Sequence, residues 1–271
     1  LKGHDLSSLR ILGSTGEPWD PESWTWFFEK VGRSRCPIIN ITGGTELIAP
    51  HLSPSPLSPL KPCTVGAPGL GMDVDVFNEE GKPVRGEVGY LVMKKPCPSM
   101  TKGFWKDPQR YIETYWSRWP KIWYHADWAM IDNDGFWFVL GRADDTIKVS
   151  GRRIGPAEVE SALLEHPSVS EAAAVGAPDE VKGEELICFA VLKPGIEPSD
   201  SVREALKDQV ANTMGKTFRP KEVRFVKQLP KTRSGKVVRK LIRSRLLGKT
   251  DLGDLSTLEN PEALDEIART Q

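Results

Sequence analysis

Apolar positions along the chain change their spacing twice. In residues 1–50 two short apolar runs, SLRILGST and CPIINIT, bracket the stretch PESWTWFFEKVG. Short apolar runs closed by turn residues suit buried strands, and the stretch between them carries the helical period, with Asp20 placed to cap its first turn. Strand, helix, strand predicts a parallel crossover unit. Residues 51–143 open with the proline- and serine-rich HLSPSPLSPLKP, which is extended or looped. Alternating segments follow: MDVDVFN, EVGYLVMK, KIWYHADWAMI and GFWFVLGR, the last two flanking the turn DNDG. Alternation with tight turns predicts a β-rich, barrel-like subdomain. Residues 144–248 mix both periods. TIKVSGRRI, EAAAVGAP, ELICFAVLK and EVRFVKQL read as strands, and PAEVESALLEH, SVREALKDQVANTM and KVVRKLIRSRLL as helices. Pro156 suits the first turn of one helix, and Ser201 with Glu204 has capping-box spacing in the next. This is a small α+β domain. Residues 249–271 are polar with few apolar anchors and read as a loose tail.

Composition narrows the class of protein. The 271 residues hold 39% hydrophobic side chains, enough for real cores, and 37 basic residues balance 37 acidic ones. No net field therefore calls for a polyanionic partner, and no nucleic acid is expected. The helix rich in Arg239, Lys240, Arg243 and Arg245 also carries Val237, Val238, Leu241, Ile242 and Leu246, a full apolar face that packs on its own domain. No apolar run reaches bilayer length and no leader pattern is visible. Cys36, Cys63, Cys97 and Cys188 are scattered without a CxxC pair, which argues against a disulfide framework or structural zinc and for a reducing cytoplasm. His4, His51, His125 and His166 are equally dispersed and match no metal-ligand spacing. DNDG resembles the start of a calcium loop whose other ligands are missing.

Four stretches carry residue types suited to chemistry. Thr42-Gly43-Gly44-Thr45-Glu46 closes an apolar run; its glycines let backbone N–H groups approach an anion, its threonine can bind phosphate oxygen, and Glu46 beside a phosphate calls for Mg²⁺. A purely structural glycine turn explains the same residues. Tyr124-His125-Ala126-Asp127 reads as leaving a strand, and a carboxylate at a strand end can accept both hydroxyls of a ribose. GRADDTIKVSGRRIGPAEVE, residues 141–160, gathers arginines suited to phosphate at the junction of two units, where an interdomain linker laced with ion pairs is the alternative. PKTRSGKVVRK, residues 230–240, sets Lys231, Arg233 and Lys236 on a Gly/Ser loop before a helix, which is either a solvated basic loop or a mobile carrier of charge.

In wording and order these stretches, with GSTGEP upstream, resemble the AMP-forming acyl-CoA synthetases of the adenylate-forming superfamily, of the acetyl-CoA synthetase-like type, over about residues 7–245. The resemblance implies a fold made of the remnant of a parallel α/β subdomain, a β-rich subdomain and a small mobile α+β carboxyl-terminal domain. It implies that a carboxylic acid is joined to coenzyme A through an acyl-adenylate, with ATP/AMP, Mg²⁺ and coenzyme A as ligands. Gly16, Glu17 and Pro18 resemble the segment against the adenine. Thr45 resembles the threonine at the α-phosphate, and Glu46 the Mg²⁺-associated carboxylate. Asp127 and Arg142 resemble the ribose-binding pair, and Arg153 the arginine that reaches the phosphate. Asp144 resembles the hinge, Ser150 and Gly151 the positions beside the coenzyme A arm, and Lys236 the lysine that drives adenylation. Gly43 stands where acetyl-CoA synthetases typically carry a tryptophan closing the acyl pocket, so an acid larger than acetate is expected.

The sequence also departs from the family pattern. Thr42 replaces the tyrosine of YGxTE, and His-Ala-Asp replaces the TGD that ends at the ribose aspartate. The family's Ser/Thr/Gly-rich phosphate loop is not found, and the chain opens at Leu1 inside what reads as a domain. The expectation is a carboxyl-terminal half, inactive without an amino-terminal partner half. Two alternatives stay open: an adenylation unit that passes its acyl group to another acceptor, and a nucleotide-binding remnant without turnover.

Overall fold

The computed structural model describes residues 1–270, which divide into two compact units, Leu1–Asp144 and Asp145 onward. Each is described by itself.

The first unit begins with the crossover. Strand β1 (Leu12–Ser14) pairs in parallel with β2 (Ile38–Asn40), Leu12 against Ile38. Helix α1 (Pro21–Trp26) starts where Asp20 Oδ1 accepts the N–H of Ser23 at 2.8 Å, with Pro21 at the first helical position, where its missing N–H costs nothing. It runs on as a π-helical turn over Phe27–Val31. Leu12, Trp24, Cys36 and Ile38 form the small core beneath. A two-residue pair follows, β3 (Leu52–Ser53) with β4 (Ala67–Pro68). The β-rich part takes the form of an open antiparallel meander of β5 (Val74–Phe77), β6 (Val88–Met93), β7 (Trp123–Ile131) and β8 (Trp137–Arg142), in that order. Helix α2 (Pro108–Tyr115) lies on it through Tyr111 and Tyr115, whose ring stacks on Trp123 at 4.1 Å. DNDG forms the β7–β8 turn. Asp132 Oδ1 accepts from the N–H groups of Asp134 and Phe136, and Lys61 Nζ holds Asp132 Oδ2 at 2.6 Å. A lysine therefore already neutralises the turn that resembled a calcium loop.

The second unit has three layers. Its sheet contains β9 (Ile147–Val149), β10 (Arg152–Ile154), β11 (Val169–Asp179), β12 (Gly183–Leu192) and β13 (Glu222–Phe225), with β12 between β11 and β13. The alternation of β11 and β12 sends Ala172, Ala174, Cys188 and Ala190 to one face and Ala173, Val175, Ile187 and Phe189 to the other. The first face packs on α3 (Pro156–Leu164) and α4 (Asp200–Met214), the second on α5 (Arg239–Leu246) and α6 (Ala263–Arg269). The cap of α4 differs from the expected one: Ser199, not Ser201, accepts the N–H of Val202 at 3.3 Å. Residues 249–270 are not a loose tail. Ala263, Leu264 and Ile267 of α6 are buried, and Leu258 bridges to Thr232. The stretch is polar because one side of a short helix suffices to seal the second face of the sheet. Among the described residues, no helix is long and apolar enough to cross a membrane.

Candidate functional site

The loops after β1 and β2 leave the same, carboxyl-terminal edge of a parallel pair, the edge at which open α/β sheets present groups to ligands. Gly16, Glu17 and Pro18 lie on the first loop, with Gly16 in the left-handed region at φ 108°. Thr42 to Glu46 lie on the second. That loop closes on itself: the N–H of His51 donates to the Thr42 carbonyl at 3.0 Å, and the N–H groups of Leu47 and Ile48 both reach the Gly44 carbonyl. At Gly43 an added Cβ would stand 3.1 Å from the Ala49 carbonyl oxygen and 3.2 Å from Pro50 Cα. A side chain there would press on the backbone of Ala49 and Pro50, which would have to give by a few tenths of an ångström.

Strand β7 supplies the second wall. Its side chains alternate in burial from Trp123 to Ile131, and the buried row reads Trp123, His125, Asp127, Ala129, Ile131. Two ionisable groups thus occupy a row that is otherwise apolar, which is tolerated only when they are paired. Asp127 lies opposite Arg142 in the β7–β8 register, beside a bulge at Trp128 and Ala129. Arg142 Nη1 donates to Asp127 Oδ1 at 3.3 Å and to the His125 carbonyl at 3.0 Å. The rest of its fork holds Asp144, Nε to Oδ1 at 2.9 Å and Nη2 to Oδ2 at 3.0 Å. His125 stands between two carboxylates, Nδ1 at 3.5 Å from Glu46 Oε1 and Nε2 at 3.5 Å from Asp127 Oδ2. Glu46 keeps 19% of its side chain exposed; burial first, and the Glu46 charge second, raise the pKa of Tyr115.

The structure therefore brings Glu46, Asp127, Arg142 and Asp144 together from three distant stretches, with Thr45 beside them and Gly16–Pro18 on the neighbouring loop. One guanidinium among three carboxylates makes a face that favours cations and hydroxyl donors over bare anions. Two neighbours escaped the sequence reading. His125 was legible in principle, because strand alternation puts it on the same side as Asp127. Nothing in the sequence marks His51, which packs edge-on against His125 with ring centroids 4.5 Å apart.

The remaining candidates belong to the second unit. Ser150 (φ 51°) and Gly151 (φ 76°) are the two-residue turn between β9 and β10, both left-handed as a tight hairpin of this type requires. Arg153 follows on β10 and is exposed. Lys236 sits on a closed loop: the N–H of Thr232 donates to the Lys236 carbonyl at 2.9 Å, that of Gly235 to the Thr232 carbonyl at 2.8 Å, and that of Lys236 to Thr232 Oγ1 at 3.2 Å. The loop is braced at its base, where Lys231 Nζ meets Glu171 at 2.7 Å and the Lys231 N–H donates to Asn260 Oδ1 at 2.8 Å. Below it, Arg239 grips Glu160 with two bonds of 2.7 and 2.6 Å, and Glu160 Oε1 also accepts the N–H of Ala174. The arginines of α5 are tied within the unit, Arg243 to Glu184 and Arg245 to Asp265.

Comparison with known proteins places these features in a family. The pattern of the AMP-binding enzyme family matches residues 1–105, and that of the AMP-binding enzyme C-terminal domain matches residues 158–236. The chain is 47% identical over 272 residues to the acetyl-coenzyme A synthetase of Pyrobaculum aerophilum, a match covering 98% of this chain and 40% of that protein. It is 44% identical over 266 residues to the acetyl-coenzyme A synthetase of Chlorobaculum tepidum, covering 97% and 40%. The solved structure of the acetoacetyl-CoA synthetase from Streptomyces lividans matches with a TM-score of 0.85 at 27% identity, over 98% of this chain and 41% of that one. An anthranilate CoA ligase in complex with anthranoyl-AMP matches with a TM-score of 0.75 at 32% identity, over 89% and 45%. The chain spans about two-fifths of the length of the curated relatives it matches. Both family patterns, in order along one chain, and relatives aligned over nearly all of it lead to one assignment: this chain belongs to the AMP-binding enzyme family.

Proposed function

We propose that this chain supplies the ribose-side, α-phosphate-side and thiol-side groups of an ATP-dependent acid–coenzyme A ligase that works through an acyl-adenylate. The observation that carries the reading is the convergence of Glu46, Asp127 and Arg142 on one face of the first unit.

In the first step a carboxylate oxygen of the acid attacks the α-phosphorus of ATP, the P–O bond to the β-phosphate breaks, and pyrophosphate leaves. Asp127 accepts the ribose hydroxyls, and Arg142, anchored on the opposite strand, fixes the direction of that carboxylate. Gly16–Pro18 lie against the adenine. Thr45 donates to the α-phosphate. Glu46 offers a partly exposed carboxylate oxygen beside a hydroxyl, the hard donor type that suits Mg²⁺ shared with substrate phosphates. Mg²⁺ bound there supplies neutralisation of phosphate charge. The Lys236 ammonium and Arg153 neutralise the charge that builds up as two anions meet. In the second step the thiol of coenzyme A, guided past Ser150 and Gly151, attacks the acyl carbonyl and AMP leaves. Lys236 is not needed for that step. Asp144, the last residue of the first unit, is the pivot between the two arrangements. The acid is larger than acetate, in keeping with the missing side chain at Gly43.

Two measurements test the reading. Calorimetry should show AMP binding to this chain that weakens about 10-fold or more in Asp127→Ala, since a hydrogen bond to a charged group contributes about 1.5–3 kcal/mol. Undiminished binding would remove Asp127 from the ribose. ATP–pyrophosphate exchange should be absent with this chain alone and should appear when the amino-terminal portion of a relative is supplied. Exchange by the chain alone would show that it is not half an enzyme.

A further inference from the structure

His51 is fully buried, and neither of its ring nitrogens has a hydrogen-bond partner. Leaving a buried polar group unsatisfied costs about 1–3 kcal/mol, and native folds seldom accept it without a reason. The ring packs edge-on against His125, and donor atoms of His51, His125 and Asp127 all lie within 4.8 Å of one another. His125 Nε2 and Asp127 Oδ2 are 3.5 Å apart. Two ligands about 2.0–2.1 Å from a tetrahedral ion stand roughly 3.4 Å apart, so this pair is already at ligand spacing. A His51 nitrogen, now within 4.8 Å of both, would close to roughly 3.4 Å to complete the set.

The surroundings fit the same purpose. The other nitrogen of His125 is held away from the site, accepting from Trp123 Nε1 at 3.5 Å with Glu46 Oε1 at the same distance. Asp127 Oδ1 is held by Arg142, which turns Oδ2 toward His125. Two imidazoles and one carboxylate suit Zn²⁺, Co²⁺, Ni²⁺ or Cu²⁺, whereas Mg²⁺ prefers oxygen donors and water.

We propose that His51, His125 and Asp127 form a binding site for a divalent transition ion of the zinc type, with its fourth position open. Asp127 is also the residue read above as the ribose acceptor. On that reading, ion and nucleotide are alternatives at one carboxylate, and the metal acts as a competitive inhibitor of nucleotide binding.

Cobalt titration of the whole chain, after treatment with chelator, tests this through the visible absorption of four-coordinate Co²⁺. The expected result is one ion per chain, a strong absorption band, displacement by ZnCl₂ and indifference to millimolar MgCl₂. His51→Leu and Asp127→Asn should each weaken binding by more than the roughly 10- to 100-fold that loss of an outer partner costs. Where circular dichroism shows that His51→Leu has not folded, the near-isosteric Asp127→Asn decides. The proposal is overturned by the absence of a band, by displacement with MgCl₂, or by unchanged binding in Asp127→Asn; a pocket that holds only water gives the first of these. AMP added to the cobalt form separates the two readings. Loss of the band supports both. Bound cobalt that AMP does not displace keeps the metal site and removes the ribose role of Asp127. AMP binding by a chain that takes no cobalt does the reverse.

Discussion

Asp127 and Lys236 stand at the two ends of the proposed chemistry, in surroundings of opposite kind. Asp127 is buried, 7% exposed, with Arg142 against one oxygen and His125 against the other. Lys236 is exposed, and its ammonium has no hydrogen bond or ion pair among the described residues. A group that holds a substrate in place gains from being fixed before the substrate arrives. A group that delivers charge must reach a new partner, and a resident counter-ion would have to be broken first. The contrast extends to the Lys236 loop itself, because its base is held as firmly as Asp127. Glu160 and Arg239, Lys231 and Glu171, and the bridge from Thr232 to Leu258 hold the ends of a loop whose tip is left loose.

The largest effect should come from breaking that base. In Glu160→Gln the Arg239 guanidinium, 11% exposed, loses the carboxylate it grips with two bonds. Breaking one side of such a pair typically costs about 3–5 kcal/mol. Urea unfolding of the second unit should show that loss, and a change under 1 kcal/mol would mean the pair is not the anchor it resembles. Next is the seal on the other face of the sheet. Ile267 is completely buried in α6, so Ile267→Ala should cost about 2–5 kcal/mol and loosen the Lys236 loop with it. Hydrogen exchange at Thr232 and Gly235 reads the second part directly. If residues 249–270 only decorate the unit, neither stability nor exchange moves.

Lys236→Ala reverses that pattern. Removing an exposed, unpartnered ammonium should leave stability within about 0.5 kcal/mol. In an assembled enzyme the same change should slow adenylate formation on the order of 100-fold or more. Thioester formation from supplied acyl-adenylate should be unaffected. Equal losses in both half-reactions would make Lys236 a structural residue after all, and the contrast between fixed and free charge would lose its functional meaning.

How far the sequence could see differs along the same line. The strand–helix–strand crossover, the hairpin around DNDG and most helices of the second unit follow from local periodicity and turn chemistry, and their boundaries lie close to the expected ones. Lys236 stands out because PKTRSGK is contiguous and lies at a turn, while its part in adenylation is what the family resemblance implies. The wall around Asp127 was only half visible. Asp127 and Arg142 pair through a hairpin that alternation reveals. His51 reaches the same place only because the Thr42–Glu46 loop folds back on itself, and that is a tertiary event. The 249–270 segment was missed for a related reason. A helix of seven residues with three buried side chains has too little apolar pattern to stand out, yet enough to close a face already prepared by Ala173, Val175, Ile187 and Phe189.

The smallest test concerns how the wall is held. Between His125 and Asp127, Ala126 has φ 65°, in the left-handed region that costs an L-residue roughly 1–2 kcal/mol and a glycine almost nothing. The reversal there, with the bulge two residues on, lets consecutive residues of β7 meet β8 out of simple register and sets Asp127 opposite Arg142. The Ala126 carbonyl accepts the N–H of Ala143 at 2.8 Å, a backbone bond that any side chain preserves. Ala126→Gly removes the steric cost and adds back about 0.5–1 kcal/mol of chain entropy lost on folding. The net expectation is a stabilisation of about 0.5–1 kcal/mol with AMP affinity unchanged, whereas Ala126→Val, with a branched Cβ at the same φ, should destabilise by more than the glycine gains. Denaturant midpoints of the three proteins at one pH measure both differences. An Ala126→Gly chain less stable than the parent would show that the backbone between His125 and Asp127 does not reverse there, and the opposition of Asp127 and Arg142 would then need another cause.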